Sequence, residues 1–181
     1  LPRHGTGMTV VFSEHPSEED WATRSKHLEP AKTAIALIAK SGSTYETLAL
    51  GSRWLGWLGS ERIPAQTIAV TSMREGQSDL TRWTTSTGMP TLALAEKMGG
   101  RYSVFSPVGL VPLLAHSPAS GVAFLNGAAK SRQAWLDTPV HQNPWLILGE
   151  KMVADRPDRR VHPQFSYVSR FRFGVARWPQ L

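Results

Sequence analysis

The sequence predicts an α/β fold, a three-layer, doubly wound and mainly parallel sheet with helices on both faces. Three observations carry that prediction. Residues Thr33–Ala39 form an uncharged run rich in Ile, Leu and Ala, which suits a strand covered on both faces. A helix-forming stretch and a second apolar run, Gln66–Thr71, come next; strand and helix thus alternate, and alternation of this kind builds parallel sheets. The chain has 181 residues, 41% of them hydrophobic, enough to bury one core of this sort and to set one domain as the expectation.

Leu1–Gly7 is polar, carries two glycines and reads as an entry loop. Met8–Phe12 is expected to be a short strand. Ser17-Glu18-Glu19-Asp20 then sets a cap and three acids at a helix start, where the positive end of the helix dipole favours them. Trp21 and Leu28 give that helix a thin apolar side, and Pro30 requires it to end. The strand over Thr33–Ala39 leads into a helix from about Thr44 to Leu58, with Leu48, Leu55 and Leu58 on one side and Gly59 closing it. Gln66–Thr71 is the second strand, and Ser72–Ser78 is a loop of the kind that sits at a strand's carboxyl end. Pro90–Leu94 reads as a further strand, with a helix continuing to Met98 as the rival. From Phe105 the chain reads as helix: Pro107 suits a first turn, and Val108, Leu110, Val111, Leu113 and Leu114 are too apolar to face water. A second helix is expected over Pro118–Leu136. A third runs from Pro144 to Ala154, with Asn143 as its cap. Phe165–Phe173 alternates aromatic and polar residues like a strand, and Pro179 forbids a helix at the end.

Composition narrows the function classes. The formal charge is +6 and the pI near 10.1, yet the basic residues are scattered; the small Arg156–Arg160 cluster is interrupted by Pro157 and Asp158. Solvated surface fits this better than a nucleic-acid face, and no nucleic-acid partner is expected. There are no cysteines, which excludes disulfides and thiolate metal sites and permits a cytoplasmic location. No apolar run reaches the length of about 20 residues that a membrane span needs, and the start does not read as a signal peptide. The first residue is Leu1, so a processed chain or a piece of something longer is expected. His4, His15, His27, His116, His141 and His162 show no metal-binding spacing and read as surface or capping residues; neither metal nor cofactor is expected. Trp54 and Trp57, three apart, fit core packing better than stacking on a sugar. Glu75 and Asp79 fit solvated loop charge better than acids in a site.

The chemistry concentrates between the first long strand and its helix, in Lys40-Ser41-Gly42-Ser43-Thr44-Tyr45-Glu46-Thr47. A helix start offers unpaired N–H groups and the positive end of a dipole. Ser41, Ser43 and Thr44 add hydroxyl donors, Gly42 allows close backbone approach, and Lys40 offers a point charge. A phosphate monoester is the guest such a loop suits. The same residues also fit a capping box in which Ser43 and Glu46 satisfy orphan donors with no ligand at all. The nucleotide P-loop spacing does not occur. Farther on, Gly99-Gly100-Arg101 pairs a tightly folding backbone with a guanidinium suited to anionic oxygen.

The string around it, Glu96-Lys97-Met98-Gly99-Gly100-Arg101-Tyr102-Ser103-Val104-Phe105-Ser106-Pro107-Val108-Gly109, resembles a signature of the glucose-6-phosphate isomerase family over its whole length. Residues Lys40 to Thr47 are similar to that family's phosphate loop at a suitable distance upstream. Leu1-Pro2-Arg3, Gly127-Ala128 and Asn143-Pro144 also fall where bacterial members have similar residues. The resemblance covers residues 1 to about 155 and implies a sugar-isomerase (SIS) type, flavodoxin-like domain over 1–155, with 156–181 an irregular tail similar to the entry of a second domain. It implies that Lys40, Ser41, Ser43 and Thr44 hold the phosphate of a sugar phosphate substrate and that Arg101 is catalytic, beside the reacting carbons. Ala39 stands where many relatives have a serine that also touches phosphate, which implies one donor fewer.

Aldose–ketose isomerisation needs a base that moves a proton between neighbouring carbons, an acid that opens the ring and a cation that steadies the enediolate. Arg101 supplies only the last. The resemblance puts the family's glutamate base, its histidine and its late lysine outside this sequence, so the chain alone is expected to be inactive. It further implies an isomerase of glycolysis and gluconeogenesis, cytoplasmic, and a homodimer in its full-length form. The alternative is a non-catalytic SIS-type module that binds or senses a phosphosugar.

Overall fold

Three parallel strands, β1 (Ile35–Ile38), β2 (Thr67–Ser72) and β3 (Thr91–Leu94), lie in the order β1-β2-β3. They belong to a computed structural model that describes residues 7–72 and 78–154. The expectations placed on Leu1–Arg3, His4, Glu75, the Arg156–Arg160 cluster, His162, Phe165–Phe173 and the rest of the 156–181 tail lie outside those residues. The chain divides into two compact units, Leu1–Gly121 and Val122–Leu181.

In the first unit the sheet is in register from Ile35 opposite Thr67 to Ile38 opposite Val70, and from Ala69 opposite Thr91 to Ser72 opposite Leu94. Parallel neighbours need long crossovers, and helices α2 (Tyr45–Leu58) and α4 (Asp79–Thr87) provide them. Alternation along the strands sends Leu37, Ala39 and Ala69 to one face. There they form a single apolar core with Leu55 and Leu58 of α2, Leu80 of α4, Met89, and Ile63 of the short helix α3 (Ile63–Gln66). Val70 and Leu94, which alternation sends to the opposite face, are buried as well, so the centre of the sheet is covered on both sides.

Helix α1 (Glu18–Ser25) starts as its sequence dictates: the Ser17 Oγ accepts the Asp20 amide at 3.1 Å. It is tied to α2 by polar and aromatic contacts. Arg53 bonds Glu18 and lies 4.2 Å over the Trp21 ring, while Trp21 and Trp54 are 6.1 Å apart. The Arg53 hydrogen bond holds the Glu18 carboxyl below the usual carboxylate range, and Arg24, 2.7 Å from Asp20, does the same to that group. Trp54 is buried, meets Trp57 edge-on at 5.4 Å and donates its indole N–H to Ser13 Oγ at 3.1 Å. Trp57 is half-buried against the core, so both tryptophans serve packing, as their spacing suggests.

Several expectations change. Met8–Phe12 is irregular, and Met8, Val11 and Phe12 are exposed; the segment is not a strand of the β1-β2-β3 sheet. The run Thr33–Ala39 is shortened to Ile35–Ile38, because Thr33 closes a 3-10 turn, its amide donating to the Pro30 carbonyl at 3.3 Å. Nor is β1 covered on both faces, since it lies at the edge of the sheet and Ala36 is exposed. The segment after Leu94 leaves the sheet as a turn, the Met98 amide donating to the Ala95 carbonyl at 3.0 Å, which rules out the rival helix. Helix α4 is an element that the sequence pattern had not announced.

A 3-10 turn, Gly100–Phe105, leads to α5 (Pro107–His116), capped by Ser106 Oγ. None of the α5 side chains is buried, and Leu114 is exposed. The apolar composition of α5 therefore overstates its burial. Helix α6 (Pro118–Asp137) crosses into the second unit, where α7 (Pro144–Ala154) follows. Asn143 joins them: its Oδ1 accepts the amides of Trp145 and Leu146 at 3.2 and 3.4 Å, and its Nδ2 donates to the Trp135 carbonyl at 2.9 Å. Among the described residues of this unit Asn143 alone is buried. No helix of the described residues is long and apolar enough to cross a membrane.

Candidate phosphate-binding loop

The loop that follows β1 begins at a carboxyl end of the sheet, where parallel α/β folds place their ligands. Ala39 still belongs to the ladder, donating its amide to the Val70 carbonyl at 3.0 Å, and its methyl completes the core. The chain then turns back on itself, with the Gly42 amide donating to the Ala39 carbonyl at 3.1 Å and Gly42 at a φ of +66°. Two bonds fasten the turn from outside: Ser72 N–H to the Lys40 carbonyl at 3.0 Å and Leu80 N–H to the Gly42 carbonyl at 2.9 Å. Strand β2 and helix α4 together hold the backbone of the loop.

Thr44 is the N-cap residue of α2, with extended backbone angles. Its side chain caps nothing, however. The Thr44 and Ser41 hydroxyls face each other at 3.2 Å, and the Ser43 amide donates to Ser41 Oγ at 3.3 Å. The capping box expected of Ser43 and Glu46 does not form, for a reason of register. The cap falls on Thr44, so Glu46 sits at the second helical position and not at the third that a capping box requires. A 14-residue helix thus begins without a side-chain cap among the described residues, its free N–H groups and dipole directed at the loop. Ser41, Ser43 and Thr44 are exposed and Lys40 is half-buried. Among the described residues no carboxylate pairs with Lys40.

Arg101 lies exposed in the 3-10 turn that the chain enters after leaving β3 at the same carboxyl edge. Its neighbours shape the turn, with the Tyr102 amide donating to the Gly99 carbonyl at 3.0 Å and Ser103 Oγ to the Gly100 carbonyl at 2.5 Å. One strand separates β1 from β3, so their ends are about 10 Å apart. The topology therefore brings Lys40, Ser41, Ser43 and Thr44 to the carboxyl edge of the sheet, while Arg101 follows β3 in the 3-10 turn Gly100–Phe105. Asp79 is placed otherwise: it lies in the first turn of α4, paired with Arg82. His15, His27, His116 and His141 are exposed, and no group of acids and histidines among the described residues is suited to a metal.

The family model for phosphoglucose isomerase matches residues 3–155. The chain belongs to the phosphoglucose isomerase family. A glucose-6-phosphate isomerase of Thermus thermophilus is 34% identical over an alignment of 134 positions that covers 72% of this chain and 32% of that protein. One of Mesoplasma florum is 31% identical over an alignment that covers 98% of this chain and 42% of that one. The chain thus spans about a third to two fifths of the length of these relatives. Among solved structures, a hypothetical protein, also from Thermus thermophilus, superposes with a TM-score of 0.66 at 30% identity, covering 79% of this chain and 34% of that one. A glucose-6-phosphate isomerase from Chlamydia trachomatis gives 0.65 at 24%, covering 78% and 27%, and shows the shared α/β fold. Both segments that carry the sequence resemblance, Lys40–Thr47 and Glu96–Gly109, fall inside the matched residues.

Proposed function

We propose that residues 1–155 form an SIS-type domain and that this chain is the phosphosugar-binding part of a glucose-6-phosphate isomerase. The observation that carries the reading is the uncapped start of α2 beneath a loop whose one lysine has no acid partner among the described residues. Lys40, Ser41, Ser43 and Thr44 hold the phosphate of glucose 6-phosphate or fructose 6-phosphate. Arg101 then stabilises the negative charge of the enediolate as a proton moves between the first two carbons. The full-length enzyme works in the cytoplasm as a homodimer, in glycolysis and gluconeogenesis.

Thermal melting of the chain and of Thr44→Ala and Ser43→Ala, with and without millimolar glucose 6-phosphate, inorganic phosphate or sorbitol, tests the reading. Glucose 6-phosphate is expected to raise Tm and sorbitol to leave it unchanged, since a ligand that binds only the folded state stabilises it. Thr44→Ala is expected to weaken that binding by about 1–3 kcal/mol, as it removes a hydrogen bond to a charged group. Its effect on unliganded stability should be small, the hydroxyl being exposed. Protection that is equal in Thr44→Ala and wild type, or absent from both, counts against the loop as the site.

Binding without turnover is expected of the 181-residue polypeptide, because the resemblance puts the family's base outside this sequence. A coupled assay of glucose 6-phosphate and fructose 6-phosphate interconversion should stay at background. Activity that follows the protein through further purification would give the chemistry to residues within this chain.

A further inference from the structure

The space over the Cα of Gly42 is already filled. A Cβ built there would lie 2.2 Å from Ser78 Oγ, 2.7 Å from Ser78 Cβ and 2.9 Å from Thr71 Oγ1, all shorter than real Cβ contacts allow. Gly42, Thr71 and Ser78 are all buried. Both side chains are themselves anchored. Ser78 Oγ accepts the Thr81 amide at 3.1 Å as the N-cap of α4 and shares a 2.7 Å hydrogen bond with the Thr81 hydroxyl. Thr71 sits in the central strand, its hydroxyl 3.4 Å from the Lys40 carbonyl. The loop is thus held by bonds at Lys40 and Gly42 and closed from above by two side chains more than 25 positions downstream.

We propose that Ser78 and Thr71 are positioning residues for the phosphate loop. Pressed against Gly42, they fix the one left-handed residue of the loop and with it the directions of the backbone and hydroxyl groups on either side. Neither needs to touch the sugar phosphate. This rests on the function proposed above, whose loop residues it takes as the binding groups. A shape held in advance loses less entropy on binding, so loosening it weakens affinity even where every ligand-touching side chain remains.

Substitutions at 78 separate this role from helix capping. Asn caps as well as Ser, and Gly only slightly less well. Ser78→Asn therefore retains the α4 cap but crowds Gly42, whereas Ser78→Gly retains most of the cap and removes the atoms pressed on it. Titration calorimetry with glucose 6-phosphate is expected to show each weakening affinity on the order of tenfold, with the Tm of Ser78→Gly close to wild type and that of Ser78→Asn lowered by the crowding. Gly42→Ala should weaken affinity further by itself, and combining it with Ser78→Gly should recover part of that loss, because the added methyl then meets no Ser78 side chain. Wild-type affinity in Ser78→Asn and Ser78→Gly, or strict additivity in the double variant, overturns the positioning role. A wild-type chain that binds no glucose 6-phosphate overturns the function beneath it, and the two failures are told apart by that control. The amide resonance of Gly42 in the unliganded chain gives a second reading: it should shift in Ser78→Gly, and an unmoved resonance counts against the contact.

Discussion

Leu80→Ala is expected to destabilise the chain by about 2–5 kcal/mol, the range for truncating a leucine in a core that cannot collapse around the void. Leu80 has no exposed surface and belongs to the core that binds α2, α3 and α4 to the sheet. Exposed Leu92, on edge strand β3, offers the comparison; its truncation should cost under about 1 kcal/mol. Urea denaturation of both variants, followed by tryptophan fluorescence, measures the difference. Equal losses at the two positions would mean that the α4 helix does not pack as described. Leu80 has a second consequence at the site, since its amide is the donor to the Gly42 carbonyl. Any residue that shifts the first turn of α4 therefore disturbs the loop.

The second large effect is expected at Lys40. Lys40→Met should weaken glucose 6-phosphate binding by about 10- to 100-fold, or about 1.4–2.8 kcal/mol, because a charge-assisted bond to phosphate is lost from a site that is only half in water. The salt dependence of binding should fall as well, since that charge is the screened one. Stability should hardly change: no carboxylate among the described residues loses a partner. Lys40→Arg should bind with intermediate affinity, its planar fork being a poor copy of a compact ammonium. Calorimetric titration at low and high salt decides the matter. Undiminished affinity in Lys40→Met would remove Lys40 from the site.

What the sequence made legible was mostly local. Ser17 and Asn143 cap the helices they precede, and the two apolar runs became parallel neighbours. The loop residues were legible as a hydroxyl-rich turn between strand and helix, but two readings stood level until the register of α2 settled the capping box. Cap position is decided by one residue's backbone angles, which no composition reveals. Thr71 and Ser78 were missed for a different reason. Their contact with Gly42 spans a long stretch of chain, and nothing in Ser78-Asp79-Leu80-Thr81 beyond a serviceable helix start points to it. The apolar run of α5 misled in the opposite direction: hydrophobicity marks surface that prefers cover without saying whether cover is supplied.

The order β1-β2-β3 also governs the sequence of assembly. Neither outer strand has a hydrogen-bonded place until β2 is present, because β1 and β3 pair with β2 and not with each other. A chain emerging from the ribosome therefore carries its Lys40–Thr44 loop for some time as unstructured backbone. The loop acquires its form only once Thr67–Ser72 and the start of α4 have been synthesised and docked. Closing such non-local pairings is slow compared with winding a helix. Helix α2 can wind before its strands pair, and the loop at its head is among the later parts of this unit to take shape.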